Sequence, residues 1–185
     1  MDKKKTIFCI LGETGAGKDT IVEMVQRKLN IPKVVSYTTR AKREGEIDGI
    51  EHYFVSEEQM DDIEKTQETI AWTKIGHIRY CATADSISGN NALYIIDPDG
   101  LRWLKQHASQ NIECIGIYIY VPLAKRMERC VIRSDFDSAF NKRVQDERKN
   151  FKKMQDNYEY NYLVTNDNLM RSADIITKII ETYLD

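Results

Sequence analysis

A glycine-rich stretch that ends in a lysine is the first part of the chain whose residue types could do chemistry. It follows a short apolar run, precedes a helical pattern, and reads Gly12-Glu13-Thr14-Gly15-Ala16-Gly17-Lys18. This matches the G-x-x-x-x-G-K pattern, in which glycines let the main chain turn so that its N–H groups point at phosphate oxygens. The lysine adds a positive charge between the β- and γ-phosphates. The stretch therefore predicts binding of the phosphate chain of a nucleoside triphosphate.

The residues after this lysine depart from the pattern. The next position usually carries a Ser or Thr that binds Mg²⁺, but here Asp19 stands there, followed by Thr20. Asp19 could hold Mg²⁺ directly or through water, because carboxylates are good ligands of this ion. It could instead cap the helix that begins nearby. Because the glycines and Lys18 are all present, we expect a working loop.

A second candidate anion site lies in a polar, glycine-bearing stretch at residues 40–49. Arg40 and Arg43 stand three positions apart there. A guanidinium fork binds a phosphate dianion through two hydrogen bonds, whereas a lysine would act only as a point charge. Spacing alone favours the alternative, a solvated basic loop, so the phosphate role depends on the rest of the sequence.

Strands and helices alternate along the chain to position these residues. Apolar, β-rich runs predict buried strands at residues 6–11, 92–96 and 112–121, with shorter candidates at 34–36, 53–55 and 162–165. Apolar spacing predicts helices at 19–29, 123–133, 136–154 and near the end of the chain, and Ser56 with Gln59 forms a capping-box pattern. The alternation predicts an α/β fold with a mostly parallel sheet. The strand at 92–96 would deliver Asp97 and Asp99 to its carboxyl end.

Residues 35–49 narrow the function further. They read Val-Ser-Tyr-Thr-Thr-Arg-Ala-Lys-Arg-Glu-Gly-Glu-Ile-Asp-Gly and resemble the guanylate kinase pattern of a serine, two threonines, two arginines three apart and a Gly-Glu turn. Shorter matches follow in order at residues 52–56, 70–72, 80–83, 97–100 and 166–169. The resemblance implies a P-loop nucleoside monophosphate kinase fold. It also implies transfer of the terminal phosphoryl group of ATP to a nucleoside monophosphate, GMP or dGMP first, with Mg²⁺ as cofactor.

The resemblance assigns roles residue by residue. It implies that ATP is bound by Gly12, Glu13, Thr14, Gly15, Ala16, Gly17, Lys18, Asp19, Thr20 and Asn166. It implies that the monophosphate is bound by Ser36, Arg40, Arg43, His52, Ala71, Tyr80, Ala82, Asp97 and Asp99. Catalysis would depend on Lys18, Arg40 and three arginines of a lid, Arg129, Arg133 and Arg143. Asp19, and Asp97 through water, would hold Mg²⁺. The other basic residues of the lid helices, Arg126, Lys142, Arg148 and Lys149, are predicted to form a solvated face.

Three positions differ from the family pattern in the region that recognises the base. Ala71 replaces a glutamate that reads guanine, Ala82 replaces a Ser or Thr, and His52 replaces a tyrosine that touches the acceptor phosphate. A site that hydrogen-bonds a base rejects analogues because its buried polar groups would go unpaired, and alanines remove that penalty. A looser or altered base preference is therefore an alternative to strict GMP specificity. A non-catalytic, guanylate-kinase-like binding module is a second alternative, although the complete loop from Gly12 to Lys18 disfavours it.

The resemblance also divides the single domain into three parts. The core is expected at about residues 1–35, 91–121 and 160–185, the monophosphate-binding region at about 36–90, and the lid at about 122–159. This division places the two candidate anion sites in different parts of one domain.

Composition bounds the remaining questions. The chain has 185 residues, 42% hydrophobic and 30% charged, with a formal net charge of -2, so we expect neither nucleic acid nor a membrane as partner. Its N-terminal apolar run is too short for a signal peptide and leads directly into the glycine-rich loop. The cysteines form no metal-binding spacing, which favours reduced thiols in the cytoplasm. A monomer and a homodimer both remain open.

Overall fold

The structure, a computed structural model, describes residues 5–132 and 138–184, except for the side chains of residues 138–140 and 143. Its elements in chain order are β1 (Lys5–Leu11), α1 (Lys18–Leu29), β2 (Tyr37–Thr38), β3 (Tyr53–Phe54), α2 (Glu57–Thr66), β4 (Thr69–Ile75), β5 (Ile78–Thr83), a 3₁₀ turn (Ala84–Ser86), β6 (Asn91–Ile95), α3 (Pro98–His107), β7 (Ile112–Tyr120), α4 (Leu123–Ile132), α5 (Ser138–Asp156), β8 (Tyr162–Thr165) and α6 (Leu169–Glu181).

A four-stranded parallel sheet in the order β6-β1-β7-β8 forms the centre of the molecule. Side chains of β1 alternate between two cores: Ile7 and Leu11 pack on one face, and Phe8 and Ile10 pack on the other. Helices α3 and α5 cover the first face, and helices α1 and α6 cover the second. Because both faces are buried, the strand reads as a continuous apolar run. The predicted α/β class with a mostly parallel, helix-flanked sheet is confirmed.

A smaller mixed sheet lies between β1 and β6 in the sequence, in the order β3-β2-β5-β4. Strands β4 and β5 form an antiparallel hairpin whose turn holds Gly76 at a φ of 63°. This hairpin is absent from the elements predicted above, although a short glycine turn between two apolar runs is a hairpin signal. The predicted strand at residues 34–36 is wrong. The chain there makes only a bridge from Lys33 to Leu93, and the strand begins at Tyr37.

Most other predicted elements are confirmed within a few residues. Strand β8 has the predicted bounds, and Ser56 caps α2 through a capping box with Gln59. The two predicted lid helices correspond to α4 and α5. Arg133, between them, lies outside the described residues. The division into core, monophosphate-binding region and lid stays a prediction.

Among the described residues, no helix is long and apolar enough to cross a bilayer. All four cysteines lie among the described residues as thiols outside any disulfide, and three of them are buried.

Candidate active site

The glycine-rich loop joins β1 to α1 at the carboxyl edge of the central sheet. Gly15 and Gly17 adopt left-handed backbone conformations, with φ of 83° and 86°. A Cβ on Gly12 would lie 3.0 Å from the carbonyl oxygen of Ile119 in the neighbouring strand. These positions therefore require glycine. Helix α1 begins at Lys18, so the positive end of its dipole points into the loop.

Asp19 lies in the first turn of α1, is exposed, and does not cap the helix. The N-cap residue is Gly17, which has no side chain to cap with, so of the two alternatives for Asp19 the capping one is wrong. A carboxylate at this place still stabilises the helix through the dipole.

Arg126 anchors the glycine-rich loop to α4. It is only 4% exposed, and its guanidinium pairs with the Glu13 carboxylate at 2.8 Å and donates to the carbonyl oxygens of Thr14 and Val121, both at 3.1 Å. The Tyr118 hydroxyl also donates to Glu13, at 3.2 Å. The prediction that Arg126 belongs to a solvated face was therefore wrong. A signal was available, because Arg126 lies three residues before Arg129 and so on the same face of α4.

A second set of contacts to the loop involves Arg129 and Asn166. The Asn166 amide donates to the carbonyl oxygen of Ala16 at 2.9 Å, and Arg129 donates to the main-chain oxygen of Asn166 at 2.8 Å. A Cβ on Gly17 would lie 3.0 Å from the Asn166 amide nitrogen. Arg129 thus lies beside the loop in this structure. Arg143 belongs to α5, but its side chain is not among those that the structure describes.

A carboxylate from α5 contacts the inner side of the loop. Glu147 accepts hydrogen bonds from the Thr14 amide at 2.8 Å and from the Thr14 hydroxyl at 2.6 Å. Lys18 donates a longer hydrogen bond to the carbonyl oxygen of Glu13 at 3.4 Å. Glu147 is not among the predicted site residues, because nothing near residue 147 in the sequence indicates a partner 133 positions away.

The second candidate anion site is organised by Glu46. Its two carboxylate oxygens accept from the Arg40 guanidinium at 3.0 and 2.8 Å, and one also accepts from the Arg43 amide at 2.7 Å. Burial opposes ionisation of this carboxyl, but the hydrogen bonds from Arg40 and Arg43 hold the pKa of Glu46 below its ordinary value. The Arg40 guanidinium also lies 5.4 Å from the centre of the Phe54 ring.

His52 and Ser36 form a polar contact beside these arginines. The Ser36 hydroxyl lies 2.9 Å from His52 Nδ1, and the Tyr80 ring packs edge-on against the imidazole at 5.7 Å. Burial, together with the charge of Arg40, lowers the pKa of His52 to about 4. The imidazole is therefore neutral at pH 7.

Asp97 and Asp99 both have partners within the protein. Asp97 caps α3 by accepting from the Gly100 amide at 2.9 Å, and it accepts from the Thr73 hydroxyl at 3.1 Å. Burial raises the pKa of Asp97. Asp99 accepts from Arg102 and from the Asn150 amide.

Two cavities connect these groups. The inner cavity runs from the glycine-rich loop to the hairpin, and its lining includes Gly12, Thr73, Tyr94, Asp97, Glu147 and Asn150. The arginine cavity is lined by Asp19, Arg40, Arg43 and Glu46, among others. Five residues line both cavities: Lys18, Ser36, His52, Tyr80 and Ile95. The two candidate anion sites therefore line adjacent cavities that meet at Lys18, and the two cavities together are called the cleft below.

Some predicted base-reading residues are not in this cleft. Ala71 and Ala82 are paired across the hairpin, are almost fully buried, and belong to the apolar core. Thr73 and Tyr94 line the inner cavity instead. A partial signal for Thr73 was available, because residues two apart on a strand share a face and Ala71 is the expected position.

The residues present fit a magnesium ion bound together with phosphates. Asp19 lines the arginine cavity and Asp97 lines the inner cavity, each with Lys18. Magnesium in such sites takes one or two carboxylates and completes its shell with phosphate oxygens and water. The described residues contain no cluster of three His, Cys, Asp or Glu side chains that would form an all-protein metal site. Both tentative metal positions therefore stay predictions.

Comparisons with known proteins agree with this geometry. The guanylate kinase family model matches residues 3–183. The guanylate kinase of Helicobacter pylori is 32% identical over 196 residues, which cover 100% of this chain and 90% of that protein. The guanylate kinase of Chlamydia muridarum is 27% identical over 180 residues, 94% of this chain and 85% of that protein. A crystal structure of guanylate kinase from Anaplasma phagocytophilum shares the fold with a TM-score of 0.74, at 22% identity, over 99% of this chain and 88% of that one. The chain therefore belongs to the guanylate kinase family and is a nucleoside monophosphate kinase.

Proposed function

We propose that the protein transfers the γ-phosphoryl group of ATP to GMP or dGMP, so that ATP and GMP give ADP and GDP. The observation that carries this proposal is the cleft, in which Lys18 lies where the inner cavity beside the glycine-rich loop meets the arginine cavity with Arg40 and Arg43. One end suits a triphosphate chain and the other suits the single phosphate of an acceptor. Two phosphates that meet at one lysine satisfy the geometric requirement for direct transfer.

In this mechanism an oxygen of the acceptor phosphate attacks the γ-phosphorus of ATP. The bond from the γ-phosphorus to the bridging oxygen breaks, and ADP leaves with that oxygen. A phosphate oxygen is already a nucleophile, so no general base is needed, and catalysis consists of positioning and charge stabilisation. Magnesium, when bound with ATP, neutralises charge on the β- and γ-phosphates.

The described residues divide this work. Lys18 stabilises the charge on the phosphate chain, while Arg40 and Arg43 orient the acceptor phosphate. Ser36, His52 and Tyr80 line both cavities beside Lys18. Asn166 supports the loop on the ATP side through its side-chain bond to the Ala16 carbonyl oxygen, and Arg129 in turn donates to the main-chain oxygen of Asn166. Arg133 and Arg143 are proposed as the remaining lid arginines.

The base would bind deeper in the inner cavity. Thr73 donates its hydroxyl hydrogen to Asp97, so both side chains offer acceptor lone pairs to a ligand. Guanine presents two adjacent donors on one edge, the ring N1–H and the amino group, and therefore suits such a wall.

A relaxed base preference is the second candidate function. Ala71 and Ala82 contribute no polar group, and Tyr94 lines the cavity instead, where burial raises the pKa of its hydroxyl above the ordinary value. With fewer buried polar groups to leave unpaired, discrimination against other bases weakens. We also propose the cytoplasm as the place of action, in keeping with the free thiols.

A coupled assay of ADP release tests both candidates. Values of kcat/KM are measured for GMP, dGMP, AMP, CMP, UMP and TMP with ATP and Mg²⁺. We expect GMP and dGMP to be the best acceptors. A preference for GMP of several orders of magnitude would reject relaxed specificity, and no ADP release with any acceptor would reject the proposed reaction.

A further inference from the structure

Helix α5 brings a negative charge into the phosphate-binding loop. Glu147, together with its neighbour Asp146, lines the inner cavity alongside Gly12 and Lys18. Both carboxylate oxygens of Glu147 are held by Thr14, one by its amide at 2.8 Å and the other by its hydroxyl at 2.6 Å. The carboxylate therefore lies on the side of the loop where the phosphate chain of ATP is proposed to bind.

A phosphate oxygen and this carboxylate compete for the same donors. Thr14 has one amide hydrogen and one hydroxyl hydrogen, and Glu147 accepts both. A phosphate placed against Thr14 would also lie close to a like charge in a partly buried site, where screening by water is weak. Glu147 must leave Thr14 before a phosphate oxygen can take its place.

The alternative is that Glu147 serves only to attach α5 to the core. Other contacts already attach this helix: Phe151 and Met154 are buried in the core, and Gln155 donates to the Tyr118 hydroxyl at 2.7 Å. Asn150 bonds both Asp99 and Arg102. Because these anchors lie within three turns after residue 147, the Glu147 side chain can release Thr14 while the helix stays in place.

We propose that Glu147 is an internal competitor of the phosphate donor and so sets the affinity of the enzyme for ATP. This inference rests on the proposed binding of ATP at the loop. The apparent affinity of a ligand falls in proportion to the fraction of protein whose site is open to it. Release of Glu147 on ATP binding lowers that affinity without affecting the acceptor site, where Arg40 and Arg43 hold the phosphate.

Calorimetric titration with Mg²⁺ and ATP, without acceptor, tests the proposal in four proteins. They are the wild type, Glu147→Ala, the isosteric Glu147→Gln, and Asp156→Asn as matched control. Asp156 ends the same helix, is exposed, and pairs with Lys152 on the surface, so its substitution makes the same charge change away from the loop. A parallel titration with GMP reports on the acceptor site.

We expect Glu147→Ala to bind ATP about tenfold more tightly than the wild type, because the competitor is gone. Glu147→Gln should show a smaller gain, since its amide oxygen can still accept from Thr14. The control should change ATP affinity less than about twofold, and GMP affinity should be equal in all four proteins. Unchanged or weaker ATP binding by both Glu147 variants, with wild-type binding intact, would overturn this inference alone. Failure of the wild type to bind ATP would overturn the proposed function and this inference together.

Discussion

Each of the two anion sites contains a glutamate, but the two glutamates have different kinds of partner. Glu46 binds Arg40, six residues away, and accepts from two of the five N–H groups of the Arg40 guanidinium. Glu147 binds Thr14, 133 residues away, and takes its single amide hydrogen and its hydroxyl hydrogen. A guanidinium can serve a carboxylate and a phosphate at once, whereas one threonine cannot. We infer that Glu46 builds the acceptor site and that Glu147 competes for the donor site.

The largest expected effect concerns the anchoring of the donor loop. Arg126→Ala should lower the free energy of unfolding by about 3 kcal/mol, because it leaves the Glu13 carboxylate buried without its partner. Denaturant titration measures this, and the melting temperature should fall by about 6 to 12 °C. Arg148→Ala, on an exposed position of α5, is the control and should change stability by less than about 0.5 kcal/mol. A loss below about 1 kcal/mol for Arg126→Ala would mean that the donor loop does not depend on this anchor.

A similar effect on activity is expected where the two sites meet. Lys18→Ala should lower kcat/KM at least about a hundredfold, or about 2.7 kcal/mol, because the charge that stabilises the transferring phosphoryl group is lost. Its melting temperature should match the wild type, since within the part of the chain that the structure describes the Lys18 side chain makes one long hydrogen bond. Lys28→Ala removes an exposed lysine that pairs with Asp174 on the surface, and it should keep full activity. A Lys18→Ala enzyme of wild-type activity would remove the basis for treating the two sites as one cleft.

The two sites also differ in how far the sequence could predict them. The glycine-rich loop is predicted from residue types and spacing within one short segment, and the stretch with Arg40 and Arg43 is predicted from a local resemblance to the guanylate kinase pattern. The roles of Arg126 and Glu147 depend on how α4 and α5 pack over the loop, through contacts that span more than 100 residues. Local sequence patterns predict turns and helix faces, but they do not predict which residues a distant helix will contact.

The hairpin shows the same limit at the base-binding end. The sequence placed Ala71 and Ala82 at base-reading positions, yet both side chains are buried in the core, and Thr73 and Tyr94 line the cavity. Ala71 and Thr73 lie on the same face of β4, so they differ in their position along the strand: Ala71 lies in the core, whereas Thr73 and Ile75 line the cavity. The point along a strand where the core ends and a cavity begins depends on tertiary packing and cannot be obtained from one short segment.

A smaller effect, on the acceptor side, should appear as a dependence of stability on pH. The pKa of His52 is about 4 in the folded protein, against an ordinary value of about 6.5 when unfolded. Between these values the unfolded chain takes up a proton that the folded protein does not, so stability falls as the pH falls below about 6.5. The loss attributable to His52 should reach about 2 kcal/mol at pH 5.

Denaturant titrations of the wild type and of His52→Gln at pH 7 and pH 5 isolate this contribution. We expect the change from pH 7 to pH 5 to lower the free energy of unfolding of the wild type by about 2 kcal/mol more than that of His52→Gln. Identical pH dependence in the two proteins would show that His52 titrates normally and is not held neutral beside Arg40.

The smallest expected effect sets the two glutamates directly against each other. Glu46→Gln should raise the KM for the acceptor by about tenfold, close to 1.4 kcal/mol, because Arg40 and the Arg43 amide lose the charged acceptor that fixes them. The affinity for ATP should not change. Glu44→Gln alters an exposed glutamate of the same loop and serves as the control, with no change expected in either constant. The substitution at Glu46 thus weakens binding of the acceptor, whereas the same substitution at Glu147 strengthens binding of ATP. A lower acceptor KM in Glu46→Gln would show that Glu46, like Glu147, competes with a phosphate, and the distinction between a guanidinium and a threonine as partners would fail.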